Sequence, residues 1–166
     1  FGPCDPLFMY MFFMSRRMKV IAAEELYVSK FLSFVMKRAG VIKYHRTTMN
    51  RVDLGAFKEA LLTLEGQGIV GLFPEGHISN DLKLAPSFQE GTAFLSLKSN
   101  SPIIPFVYVK PYRYFRYNKV VVGKPIYPSD VIKDLKVNGE TISTLNKVIY
   151  DEMKRLYDYS LSLRKK

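Results

Sequence analysis

Short apolar runs alternate with longer amphipathic segments along the chain, and this alternation constrains its fold more than any other feature. The runs are rich in branched and aromatic residues, which predicts strands at 19–22, 41–44, 69–73, 103–109 and 119–122. Helical spacing of apolar residues fills the segments between most of them. Strands separated by helices predict an α/β fold, with a largely parallel or mixed central sheet flanked by helices, in one domain over residues 1–166.

The predicted helices carry recognisable ends and faces. A short apolar helix begins at Asp5, another helix spans 24–38 and is closed by Gly40, and a later one spans 88–98. Asp53 is suited to cap the helix between the last two, which Gly66 and Gly68 end. The predicted buried face of that helix is Leu54, Phe57, Leu61 and Leu64. The apolar stripe of the last helix is Leu145, Val148, Ile149, Met153 and Leu156.

The charge balance is strongly basic. Lys and Arg number 25 against 15 Asp and Glu, which gives a formal net charge of +10. Such a chain favours an acidic partner, which leaves nucleic acid, an anionic membrane surface and a phosphorylated substrate open.

The lone cysteine, Cys4, excludes an intrachain disulfide and favours a reducing compartment. The chain begins at Phe1 with no basic leader, and we interpret this start as a truncation.

The most informative local sequence follows the third predicted strand. Residues 73–79 read Phe-Pro-Glu-Gly-His-Ile-Ser, so a carboxylate and a glycine come directly after an apolar run. Ligand sites in open α/β sheets lie beyond the carboxyl ends of the strands. Glu75 could accept hydrogen bonds from substrate hydroxyls, and Gly76 would let a substrate approach the backbone. The alternative is an ordinary turn in which the glutamate faces solvent.

Four segments together resemble the signature blocks of the glycerol-phosphate and lysophosphatidate acyltransferases. The block at 73–79 is similar to the third of these. Asp5-Pro6-Leu7 resembles the end of the first, which reads His, any four residues, Asp. Residues 40–46 contain a glycine, a short predicted strand and Arg46, and they resemble the second block. Residues 102–107 form an apolar strand with a central proline and resemble the fourth. Gly91-Thr92-Ala93 and the run 122–126 agree in position, so the resemblance covers residues 1 to about 127.

The resemblance implies acyl transfer from acyl-CoA or acyl carrier protein to the free hydroxyl of a lysophospholipid, by default lysophosphatidate. In this family a histidine acts as general base and an aspartate orients it. Asp5 fills the aspartate position, and the spacing places the histidine immediately before Phe1; neither His45 nor His77 has that spacing. The chain is then either part of a longer enzyme or a catalytically inactive, lipid-binding relative. No cofactor or metal is implied.

The resemblance also implies an acceptor pocket. Arg46 matches the ligand of the substrate phosphate, and Glu75 and Gly76 match residues that line the glycerol-phosphate pocket. The third block usually continues Thr-Arg-Ser, but this chain has His77, Ile78 and Ser79. A further basic residue, usual before the later glycine, is replaced by Gln89 or Glu90. Candidate acceptor contacts therefore also include His77, Ser79 and Lys83, and an acceptor that is a different lyso-lipid or lacks a phosphate stays open.

Two further segments concern the acyl chain and the membrane. Ile103, Ile104 and Pro105 are expected to form both core and acyl-facing wall, with the core interpretation favoured. Residues 108–119 interleave Lys and Arg with Tyr and Phe. This pattern suits a membrane interface or single-stranded nucleic acid, and the alternative is the solvent-exposed rim of a β-hairpin with no binding role. Given the acyltransferase blocks, we predict a position at the cytoplasmic face of a membrane, either peripheral or anchored through an upstream segment, and no nucleic-acid partner.

Overall fold

The protein is represented by a computed structural model, which describes residues 18–24, 30–45, 53–76, 83–110 and 118–164. Within these ranges the chain divides into two compact units, one inside residues 2–73 and the other inside residues 74–166. The first unit contains a parallel sheet with two helices, and the second contains an antiparallel strand pair with three helices. The single domain over residues 1–166 stays a prediction.

The sheet of the first unit has three strands. They are β1 (Met18–Ala23), β2 (Ile42–Tyr44) and β3 (Ile69–Gly71), in the order β2-β1-β3. Both neighbouring pairs are parallel, and Ala23 pairs with Tyr44 at the carboxyl end of β1. Alternate residues of β1 are buried, as its central position requires.

Two helices connect these strands. Helix α1 (Lys30–Arg38) lies between β1 and β2 in the chain, and α2 (Leu54–Glu65) lies between β2 and β3. The chain thus moves from β1 to a strand on one side and then to a strand on the other. Ligands of α/β proteins bind beyond the carboxyl ends of strands at such a reversal. The predicted α/β class, with a parallel sheet and flanking helices, is confirmed.

Helix α2 packs through a different face from the one that its leucines predict. Its buried residues are Ala56 and Ala60, whereas Leu54 at its start is 78% exposed. Phe57 is half-buried, and its ring lies 6.4 Å from that of Tyr44. The predicted face is therefore wrong at Leu54. Ala56 and Ala60 instead provide the buried contacts of the helix.

The helix ends show one expected and one unexpected feature. Gly40 closes α1 with a left-handed backbone, φ +72°, and its amide donates to the carbonyl of Lys37 at 3.1 Å. After α2, however, the left-handed residue is Gln67, with φ +58°, and it lies between two glycines. The amide of Gly68 donates to the carbonyl of Thr63 at 2.8 Å, so the predicted glycine pair does end the helix.

The second unit is built around its last helix. Strands β4 (Phe106–Tyr108) and β5 (Val120–Val122) pair in antiparallel fashion and form a hairpin, so the basic aromatic run 108–119 largely forms its connection. Helices α3 (Gly91–Ser99), α4 (Pro128–Val131) and α5 (Gly139–Arg164) complete the unit. No helix in the described part of the chain is both long enough and apolar enough to cross a bilayer.

The core of the second unit joins α3 and α5. Its buried members are Phe88, Ala93, Leu97, Ile132, Leu145 and Ile149. Helix α3 begins at Gly91, three residues after the predicted start at Phe88. Phe88 is instead a buried core residue ahead of the helix, and its ring lies 5.1 Å from that of Tyr150. The start shifts because the backbone amide of Gln89 bonds outside the helix, to the carbonyl of Pro74.

The fourth block is only partly a strand and only partly core. Ile103 bridges to Ile126 and packs on the core, and Pro105 is buried. Ile104 between them is 50% exposed, so the core interpretation is wrong for this residue. In extended backbone successive side chains point to opposite sides, and burial of 103 and 105 turns 104 outward.

Gly123, which follows β5, lies close to α5. Its amide donates to the carbonyl of Pro105 at 2.8 Å. A methyl group at this position would lie 2.8 Å from both Glu152 Oε1 and Leu156 Cδ1. The absence of a side chain therefore allows the hairpin to pack directly against the helix.

Candidate active site

The described residues contain part of the predicted site. Four predicted residues lie outside them: Asp5, Arg46, His77 and Ser79. Five lie within the second unit: Glu75, Gly76, Lys83, Ile104 and Pro105. The convergence of Asp5, Arg46 and Glu75 on one cleft therefore stays a prediction.

The Pro-Glu-Gly segment forms a turn with a tightly defined backbone. Gly76 has φ +68°, a left-handed conformation that side-chain-bearing residues rarely adopt. The carbonyl of Pro74 accepts a hydrogen bond of 2.8 Å from the amide of Gln89. Glu75, which lies between Pro74 and Gly76, is half-buried. The turn thus fixes the backbone around its carboxylate, as a substrate-lining role requires.

The other described candidates differ in exposure. Lys83 is exposed, as a residue that contacts an anionic headgroup must be. Ile104 presents half of its surface to solvent, which suits an acyl-facing residue better than a core residue. Pro105 is buried, and its carbonyl accepts from Gly123, so its observed contacts are those of packing. The structure does bring Gly76 together with Gln89, which the sequence did not predict.

A polar cluster lies at the carboxyl ends of β1 and β2 in the first unit. Glu24 directly follows β1, and His45 directly follows β2. His45 Nδ1 lies 2.8 Å from Glu24 Oε2, and Lys43 Nζ lies 3.5 Å from the same oxygen. The backbone amide of His45 donates to Asp53 Oδ2 at 2.9 Å. Side chains and backbone together therefore hold the end of β2.

These contacts make both carboxylates more acidic. The hydrogen bond from His45 is the largest influence on Glu24 and holds its pKa below the usual value, with a smaller contribution from Lys43. The backbone amide of His45 likewise lowers the pKa of Asp53, with help from the amides of Ala56 and Gly55. Both groups are thus stabilised as anions at neutral pH.

Sequence reasoning considered His45 only as a candidate base and missed this cluster. A signal was present, because His45 directly follows the predicted strand at 41–44 and Glu24 lies two residues after the predicted strand at 19–22. Carboxyl ends of neighbouring parallel strands meet at one edge of the sheet. The partner of His45 could not be derived from spacing, since the pairing of β1 with β2 depends on the sheet order.

The chemistry available at the described residues is that of polar and charged side chains. Within the described ranges, no three His, Cys, Asp or Glu side chains are grouped so that they could hold a metal ion. A half-buried carboxylate at a rigid turn and an exposed lysine are suited to binding hydroxyl and phosphate groups.

A sequence profile described as Acyltransferase matches residues 2–109 of the chain. The chain belongs to the acyltransferase family. The matched range includes the end of the first block and the whole of the other three, so the family suggested by those blocks is confirmed. No curated protein sequence matches the chain significantly.

A solved structure has a similar fold. It is the 1-acyl-sn-glycerophosphate (LPA) acyltransferase PlsC from Thermotoga maritima, with a TM-score of 0.59 and 21% sequence identity. The match covers 85% of this acyltransferase chain and 56% of PlsC, so the chain spans little more than half the length of that neighbour. At this identity the likeness establishes the fold and agrees with the parallel sheet described above.

Proposed function

We propose that this acyltransferase moves a fatty acyl group from acyl-CoA or acyl carrier protein to the free hydroxyl of a lysophospholipid, by default lysophosphatidate to give phosphatidate. The observation that carries the proposal is the family match over residues 2–109, which contains the positions of Asp5, Arg46 and Glu75. The similar fold of PlsC, which is described as an LPA acyltransferase, favours a glycerolipid acceptor.

The proposed reaction is direct transfer without an acyl-enzyme. A histidine immediately before Phe1, oriented by Asp5, takes the proton of the acceptor hydroxyl. The hydroxyl oxygen attacks the thioester carbonyl, the carbon–sulfur bond breaks, and the thiol leaves with a proton. Arg46 holds the acceptor phosphate through paired hydrogen bonds, and Glu75 accepts from the glycerol backbone. No metal or cofactor takes part, and the thioester is a co-substrate.

The proposed setting is peripheral contact with the cytoplasmic face of a membrane. The formal charge of +10 favours an anionic lipid surface. The basic aromatic run 108–119 connects the strands of the hairpin, where the amide of Val109 donates to the carbonyl of Lys119 at 2.9 Å. Tyrosines interleaved with basic residues are suited to the headgroup level of a bilayer.

The test measures thiol release from acyl-CoA with lysophosphatidate, using protein that includes the residues upstream of Phe1. Asp5→Asn is expected to lower kcat by about 100-fold, because the base loses its orienting anion. Arg46→Ala is expected to raise the KM for lysophosphatidate about tenfold or more, since charge-assisted bonds to phosphate are lost. Asp134→Asn and Arg38→Ala, which alter exposed residues, are the matched controls.

Full activity in both site variants would refute the assignment of Asp5 and Arg46. Lipid binding without thiol release in the unmodified protein would instead favour the inactive, lipid-binding relative.

A further inference from the structure

Gln89 is in direct contact with the Pro-Glu-Gly turn. Its backbone amide donates to the carbonyl of Pro74 at 2.8 Å. Its side chain lies against Gly76, because a Cβ atom built on this glycine would be 2.6 Å from Gln89 Cγ. Gly76 is therefore required twice, once for its left-handed backbone and once for the close approach of the glutamine.

The segment that carries Gln89 is held from its other side by the core. The preceding residue, Phe88, is buried, and its carbonyl accepts a hydrogen bond of 3.1 Å from Asn146 Nδ2 of α5. Gln89 itself is exposed. The backbone contacts on both sides place the exposed carboxamide of Gln89 beside the turn, within reach of a group bound there.

The described residues around the turn carry little positive charge. Among the described residues between 74 and 91, the charged side chains are Glu75, Lys83 and Glu90, which amount to one cation and two anions. Gln89 adds two amide donors and one acceptor but no charge. A phosphate monoester carries close to two negative charges at neutral pH, whereas a phosphodiester carries one. An uncharged contact discriminates between the two less than a cation does.

We propose that Gln89 determines the charge preference of the acceptor site. Its neutral amide allows lysophospholipids with a singly charged phosphodiester headgroup to be acylated alongside lysophosphatidate, which is a phosphate monoester. This inference rests on the proposed function and extends its acceptor class.

The contact with Gly76 supplies a matched series of variants. The closest contact is made by Gln89 Cγ, an atom that lysine, methionine and glutamate also have. Gln89→Lys, Gln89→Met and Gln89→Glu therefore keep the packing on the turn and change only the charge and polarity beyond it. Circular dichroism and thermal unfolding confirm that each variant is folded.

The experiment measures kcat/KM for lysophosphatidate and for lysophosphatidylglycerol with one acyl-CoA, and takes the ratio of the two. The unmodified protein is expected to show a ratio within about tenfold of one. Gln89→Lys is expected to raise the ratio about tenfold, since a charge-assisted bond to the dianion replaces a neutral one. Gln89→Glu is expected to lower it, and Gln89→Met to leave it within about threefold of the unmodified value.

Two results would overturn the inference: a preference of more than about 100-fold for lysophosphatidate in the unmodified protein, or equal ratios in the lysine and methionine variants. Either result leaves acyl transfer itself intact. Failure of the proposed function has a different signature, because then no lysophospholipid would support thiol release in any variant.

Discussion

Asp53 connects the end of β2 to the start of α2, and its removal is expected to destabilise the first unit. One carboxylate oxygen caps the helix by accepting from the amide of Ala56 at 3.1 Å, and the other accepts from the amide of His45 at 2.9 Å. Loss of an N-cap costs about 1 kcal/mol. Loss of the second, charge-assisted bond at a partly exposed position adds about 1 kcal/mol. Asp53→Ala should therefore lower the free energy of unfolding by about 2 kcal/mol.

The assay is urea unfolding at neutral pH, with thermal unfolding alongside. A change of about 2 kcal/mol corresponds to a fall in Tm of about 4–8 °C for a chain of this size. Asp53→Asn is the matched control, because asparagine caps helices about as well as aspartate. It retains one acceptor oxygen, and its expected loss is about 1 kcal/mol.

The hydrogen bonds of Asp53 also predict how the stability loss in Asp53→Ala depends on pH. The amides of His45 and Ala56 lower the pKa of Asp53 in the folded chain below its ordinary value of 3.8. A depressed pKa contributes stability that is present above the unfolded pKa and is lost as the pH falls through the folded one. The difference between the unmodified protein and Asp53→Ala should therefore shrink below about pH 3.8. A stability change under 0.5 kcal/mol at neutral pH would refute the capping argument.

Two further predictions concern packing and charge. Gly123→Ala places a methyl group 2.8 Å from two side chains of α5 and is expected to cost about 1–2 kcal/mol in urea unfolding. Gly139→Ala, where a Cβ atom meets nothing within 4 Å, should cost nothing, and equal effects would contradict the contact. Glu24→Gln removes a carboxylate whose pKa is held low by His45, so its stability deficit should be present above pH 4.5 and vanish as the pH falls further. A deficit that persists unchanged in acid, or that Glu65→Gln reproduces, would argue against this pair.

Much of the fold could be predicted from the sequence because its local signals agree with the tertiary structure. The apolar run at 19–22 lies within β1, and Asp53 caps α2 as its position predicts. The last helix buries Leu145, Ile149 and Leu156 from its predicted stripe. In each case one local pattern determines the outcome.

The errors arise where packing between elements decides. Leu54 fits the apolar period of α2 but is exposed, because the helix packs through Ala56 and Ala60. Ile104 is apolar in an apolar strand, yet burial of its neighbours turns it outward. The contact between Gln89 and Gly76 joins residues that are thirteen positions apart in the chain, and no spacing rule predicts it.

The candidate site shows the same contrast between what local sequence patterns predict and what packing between elements decides. The family could be predicted, because the four blocks resemble one family and the family match confirms that resemblance, while the roles of the site residues stay predictions. The pair formed by His45 and Glu24 was not, since it depends on which strand lies beside β1. The sequence thus identifies the chemistry, and the sheet order determines which polar side chains share an edge.

The most direct test follows an isotopically labelled acyl group from acyl-CoA into product. Protein that includes the residues upstream of Phe1 is incubated with labelled acyl-CoA and lysophosphatidate, and the lipids are identified by mass spectrometry. Acyl transfer to the acceptor hydroxyl predicts labelled phosphatidate in equal amount to the thiol released. Label found only in free fatty acid or in unreacted acyl-CoA would contradict it.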